Sequence, residues 1–123
     1  MKTLLIVEDQ PDIRRLMRTT LESDGFEIAE AVDAAAGWEA ALRLHPDLIL
    51  LDIMMPGEID GLDLCRRLKA DPATCAAKVL IVSARGHRND VGIGRDAGAD
   101  DYLLKPFSPM RLIEVVEQLL AAH

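Results

Sequence analysis

Two cysteines and three histidines are all the thiol and imidazole this sequence offers, and they are scattered. Cys65 and Cys75 lack zinc spacing, and His45, His87 and His123 have no companions, which argues against a metal centre built from either type. Reduced thiols are the expectation for a protein kept inside the cell. Long apolar runs are missing too: none approaches the roughly 18–20 residues of a membrane span. The opening stretch MKTLLIVED is too short for a secretory leader and turns acidic at once, so a cytoplasmic location with no membrane association is expected. Positive charge is in deficit, with 14 Lys and Arg against 21 Asp and Glu, net -7. A surface of that sign is repelled by phosphate backbones, and direct nucleic-acid binding by this chain is not expected. Linkers and low-complexity stretches are absent, and 123 residues suit one domain, read as 1–123.

What the sequence does have is a rhythm. Short apolar runs alternate with longer amphipathic ones. Thr3 to Val7 stops at Glu8 and Asp9, and Asp12 to Ser23 follows with Ile13, Leu16, Met17 and Leu21 at helical spacing before Gly25. Glu27 to Ala31 alternates weakly as a strand, and Ala34 to Leu44 favours helix up to Pro46. Leu48 to Leu51 and Val79 to Val82 are apolar without interruption, the pattern of strands buried on both sides. Gly61 to Ala70 and Asn89 to Ala97 read as helices, the latter weakened by Gly92 and Gly94. Tyr102 to Leu104 is a short strand, and a last helix starts behind Ser108 with Pro109 in its first turn. Cys65 is placed in the core, Cys75 in a loop near Pro72, and Trp38 as a partly exposed packing residue. Strand–helix alternation repeated in this way predicts an α/β fold: a doubly wound, five-stranded parallel sheet with helices on both faces.

The chemistry sits where the strands stop. The first strand ends on Glu8 and Asp9, the third on Asp52, the fourth on Ser83 and the fifth on Lys105. Parallel strands bring their carboxyl ends to one edge, where open α/β sheets form their sites. Singly, each residue has an ordinary reading: a turn aspartate, solvated loop charges, a loop-starting hydroxyl, a surface lysine. Together they predict a pocket in which crowded carboxylates demand a cation, and hard oxygen donors suit Mg²⁺. Mg²⁺ and Lys105 would neutralise an incoming phosphoryl group, and a carboxylate can take that group covalently. Asp52, at the tip of the central strand, is the candidate nucleophile.

The segments LLIVEDQ, PDLILLDIMMPG, VLIVSAR and GADDYLLKPFSP, in this order and spacing, resemble the signature segments of response-regulator receiver domains of two-component signalling, over essentially the whole chain. The resemblance implies a flavodoxin-like sheet of order 2-1-3-4-5. It implies Asp52 as phosphoacceptor, and Glu8, Asp9, Asp52 and the backbone carbonyl of Met54 as the Mg²⁺ site, with Glu8 acting mainly through water. Ser83 would bond a phosphoryl oxygen, Lys105 would bind the phosphoryl group, and the Lys105–Pro106 peptide would be cis. Ser83 and Tyr102 would be the switch pair. By the same resemblance the phosphoryl donor is a histidine kinase or phosphotransfer protein, and a downstream protein or output domain reads the surface around the fourth helix, last strand and fifth helix. The chain would then be a switch that promotes its own phosphorylation and dephosphorylation, not an enzyme. It departs from many members in a loop, MMPGEIDGL, one residue longer between Gly57 and Asp60, and in a last helix without the charge pattern of receivers that pair through that surface. Dimerisation therefore stays open.

Rival functions fit less well. An aspartate phosphatase of the haloacid dehalogenase type wants an acid two residues past its nucleophile, where this chain has Met54. A flavin binder wants a Ser/Thr/Gly-rich phosphate loop after the first strand, where Glu8, Asp9 and Gln10 stand. A receiver-like module that is never phosphorylated has no need of the full acid set and Lys105.

Overall fold

The structure, a computed structural model, describes residues 2–55, 60–84 and 88–121, without the side chains of 88–90. The chain alternates strictly: β1 Thr3–Val7, α1 Pro11–Ser23, β2 Glu27–Ala31, α2 Ala34–Leu44, β3 Leu48–Leu51, α3 Gly61–Ala70, β4 Lys78–Ser83, α4 Arg88–Asp96, β5 Asp101–Leu104 and α5 Pro109–Ala121. All strand pairs are parallel, in the order β2-β1-β3-β4-β5. The loop of added length around Gly57 lies outside the described residues up to Asp60. No described helix is long and apolar enough to cross a membrane.

Alternation along each strand divides the core in two. Leu5, Val7, Ile49, Leu51 and Val79 face α2 and α3, meeting Ala41, Leu64 and Leu68. Leu4, Ile6, Leu48, Leu50, Leu80 and Val82 face the other way, onto Met17 and Leu21 of α1 and Leu112, Val115 and Val116 of α5. Every residue of β1 from Leu4 to Val7 and of β3 is wholly buried, which is why those runs show no polar alternation. Helix starts are set by short polar side chains: Asp33 accepts the Ala36 amide (2.8 Å), Asp60 the Asp63 amide (2.8 Å) and Ser108 Oγ the Arg111 amide (3.1 Å). Cys65 is in the core, where burial pushes its thiol up to about 11, while Cys75 is exposed. Trp38 is half-buried against the α2–α3 side of the core.

Helix α4 runs one residue ahead of the expected 89–97 span. Its glycines differ. A Cβ on Gly94 would stand 3.0 Å from Ile81 Cδ1 and 3.1 Å from the Tyr102 ring, so α4 docks on β4 and β5 through that missing side chain. A Cβ on Gly92 would meet nothing within 4 Å. Gly92→Ala should therefore raise stability by about 1 kcal/mol, the helix-propensity difference alone. Urea unfolding checks this, and a loss of stability would contradict an ordinary helix at this position.

Candidate functional site

The carboxyl edge of the sheet collects the strand-end residues because the register puts them level. Val7 pairs with Leu51 and Leu51 with Ile81, so Glu8 and Asp52 leave adjacent strands at the same height. The ladder continues one step beyond the strands: the Glu8 amide donates to Ala31 O (3.0 Å), the Asp52 amide to Val7 O (3.0 Å), and the Lys105 amide to Ser83 O (2.8 Å). β1 and β3 flank the point where strand order reverses, and the crevice of an open sheet forms there.

Glu8, Asp9 and Asp52 each offer a carboxylate oxygen within 4.8 Å of the others. Glu8 is fully buried, Asp52 is 5% exposed and Asp9 is half-buried. Lys105 Nζ lies 2.5 Å from Glu8 Oε1 and 3.3 Å from Asp52 Oδ2. The other Asp52 oxygen, Oδ1, accepts the Met54 amide (2.9 Å), and Glu8 Oε2 accepts the Gln10 amide (3.3 Å). Both buried carboxylates are thus fixed in rotation. Lys105 pairs with two of the three carboxylates, Glu8 and Asp52. Burial, followed by its contact with Asp52, pushes the Glu8 carboxyl up to about 7 against the opposing pull of Lys105.

Ser83 is fully buried at the end of β4. Ser83 pairs in register with Leu104 and Ile81 with Tyr102, so Ser83 and Tyr102 are on one face of the sheet, on neighbouring strands and offset by two residues. The Lys105–Pro106 peptide is cis. Asp9, Gln10, Asp52, Met54, Ala84 and Lys105 line a cleft of about 220 Å³, with Met54 half exposed at its wall. A larger recess of about 350 Å³ lies at the opposite edge, beside Lys2, Asp47 and Lys78. Among the described residues its one carboxylate is Asp47, which already accepts the Thr3 amide at 2.8 Å, and no acid cluster forms there, so size does not decide where the chemistry sits.

Three further residues shape the site without having stood out in the sequence. Gln10 supports Glu8 through its amide. Arg14 donates from Nη1 to the carbonyls of Glu8 (2.9 Å) and Asp9 (3.5 Å). Gly61 begins α3 so close to the chain leaving β3 that a Cβ would stand 2.5 Å from both Asp52 O and Ile53 Cα. Sequence gives two faint signals for them: an arginine on the first turn of a helix that follows an acidic strand end, and a glycine directly after an Asp cap.

An acidic cleft at the switch point of a 2-1-3-4-5 sheet, with one lysine from the last strand, has relatives. The chain is 42% identical over 120 residues to RpaA of Synechocystis sp., named a DNA-binding dual master transcriptional regulator, covering 98% of this chain and 49% of that protein. It is 40% identical over 119 residues to PhoB of Pseudomonas aeruginosa, a phosphate regulon transcriptional regulatory protein, covering 97% of this chain and 52% of that one. The chain thus spans about half the length of these curated relatives. Among solved structures, the receiver domain of the sensor histidine kinase PA1611 of Pseudomonas aeruginosa, which holds a magnesium ion in its active site cleft, superimposes with a TM-score of 0.90 at 26% identity, covering 98% of each chain. The family model of the response regulator receiver domain matches residues 4–117, and the chain belongs to that family.

Proposed function

We propose that this chain accepts a phosphoryl group on Asp52 from a histidine kinase or phosphotransfer protein, with Mg²⁺ bound, and passes the signal to a downstream protein or output domain. The observation that carries this is a buried aspartate held among two further carboxylates and a lysine: Asp52 Oδ2 at 3.3 Å from Lys105 Nζ, with Glu8 and Asp9 within 4.8 Å. An ionised Asp52 oxygen attacks phosphorus. The P–N bond of the donor phosphohistidine breaks, its electron pair returns to the imidazole, and an acyl phosphate remains on Asp52. Later attack by water on phosphorus returns the carboxylate and inorganic phosphate. The chain promotes both steps on itself and acts on no separate substrate.

The donor set fits Mg²⁺: hard carboxylate oxygens, excess negative charge and a cleft open to water. Asp9, Asp52 and the Met54 carbonyl would hold the ion, with Glu8 acting through water, as a magnesium ion sits in the cleft of the PA1611 receiver. When bound, it supplies positive charge against the phosphoryl oxygens. Lys105 supplies the fixed part of that charge. Ser83 would donate to a phosphoryl oxygen, and its movement would let the Tyr102 ring turn inward on the face they share. The ring already lies against Gly94 of α4, so its position and that of the helix are coupled, a two-state element biased by local charge. The surface of α4, β5 and α5 would carry the change to the partner.

Incubation with Mg²⁺ and acetyl phosphate should add one phosphoryl group to the intact mass of the wild type. Asp52→Ala should add none, and neither should the wild type in excess chelator. A full mass gain in Asp52→Ala would overturn the assignment.

A further inference from the structure

We infer that Arg14 is a positioning residue for the cation site, clamping the backbone of the acidic pair so that Asp9 and Glu8 face Asp52. The inference rests on the Mg²⁺ reading above. Where β1 ends, the carbonyls of Glu8, Asp9 and Gln10 leave the ladder in succession and each needs a donor. The Arg14 side chain serves the first two, Nη1 reaching Glu8 O at 2.9 Å and Asp9 O at 3.5 Å, while Gln10 O takes the Arg14 amide at 3.0 Å in the first backbone bond of α1. The guanidinium is itself braced from the other side, Nε donating to Glu30 Oε1 at 2.9 Å. Glu30 stands on β2 directly beside Ile6 of β1, so the fork spans from a fixed strand to the turn. A planar guanidinium can hold such a bridge in one geometry, which a lysine cannot. Ion pairs this exposed, with side chains 19% and 30% accessible, add little to stability, so the bridge matters more for where the turn sits.

Arg18 is a built-in control. It also pairs with Glu30, Nη1 to Oε2 at 2.5 Å, and with Glu22 at 3.3 Å, so it shares the charge environment but holds side chains, not the turn. Charge and position make opposite demands on Arg14. A cation beside an acid cluster repels Mg²⁺, so on Coulomb grounds alone removing Arg14 should tighten metal binding. Loss of the clamp should weaken it.

Calorimetric titration with Mg²⁺ alone, without a phosphoryl donor, separates the two. The wild type should bind. Arg14→Gln should bind about tenfold more weakly, the low end for groups that orient metal ligands from behind. Arg18→Gln should stay within about twofold of the wild type. Equal or tighter binding in Arg14→Gln would overturn the inference, and so would an equal weakening in Arg18→Gln. If Arg14→Gln does not unfold cooperatively, Arg14→Lys, which keeps the charge and loses the fork, decides by the same criterion. No Mg²⁺ binding by the wild type would instead remove the metal reading itself, so the two failures are distinguishable.

Discussion

Gly61→Ala should destabilise the domain by about 3 kcal/mol and strip it of most of its capacity to take a phosphoryl group. A methyl group there would stand 2.5 Å from Asp52 O and from Ile53 Cα, well inside van der Waals contact. Both obstacles are backbone, at the end of a wholly buried strand, so neither can rotate away as a side chain would. Overpacking of this kind costs about 1–3 kcal/mol, and backbone obstacles place this case at the top of that range. Relief requires α3 to lift or the chain after β3 to shift, and the second moves Asp52 relative to Lys105. Urea unfolding and the acetyl phosphate mass gain read the two effects. A variant with wild-type stability would show that α3 does not dock on Asp52 in this way. Gly92→Ala, the same chemical change on an open helix face, is expected to have the opposite sign, so the surroundings decide and not the residue type.

The contrast marks what a sequence can carry. The runs LILL and VLIV announce buried strands because burial on both faces removes polar alternation, and the strand ends then bring Glu8, Asp9, Asp52, Ser83 and Lys105 to one edge. Caps at Asp33, Asp60 and Ser108 are local and legible for the same reason. The order 2-1-3-4-5 is different. Alternation fixes parallel strands, but several orders satisfy it, and the resemblance to receivers supplied this one. Nor does pattern reveal that Lys105, 97 residues from Glu8, approaches it to 2.5 Å. The Arg14–Glu30 bridge joins a helix turn to a strand 16 residues on, and only the register of β1 with β2 brings them together. Gly61 reads as a helix-starting glycine until the distance to Asp52 is known. Local signals write the elements and contacts across elements write the site, so the supporting residues were the ones hidden.

Lys105→Met should lose about 3 kcal/mol of stability without Mg²⁺ and regain part of it when Mg²⁺ is added. Lys105 is 12% exposed and is the ammonium facing Glu8, which is fully buried, and Asp52, which is 5% exposed. Methionine fills similar space but leaves those carboxylates and Asp9 to repel one another with no fixed counter-charge. Removing one partner of a buried pair costs about 3–5 kcal/mol, and the open cleft beside Asp52 admits water, which places this case at the lower end. An ion that binds the folded state alone stabilises it by mass action, and a site with one less positive charge attracts that ion more strongly. The increment from Mg²⁺ should therefore be larger in Lys105→Met than in the wild type, although phosphoryl acceptance becomes much slower for want of the fixed cation. Arg14 and Lys105 make the comparison sharp. Both are cations beside the same acids, yet removing Lys105 should tighten Mg²⁺ binding and removing Arg14 should loosen it, because one contributes charge and the other holds the turn. Urea unfolding of both variants with and without Mg²⁺ gives the answer. Equal Mg²⁺ increments in Lys105→Met and the wild type, or undiminished stability of the variant without the ion, would show that Lys105 does not balance the buried acids.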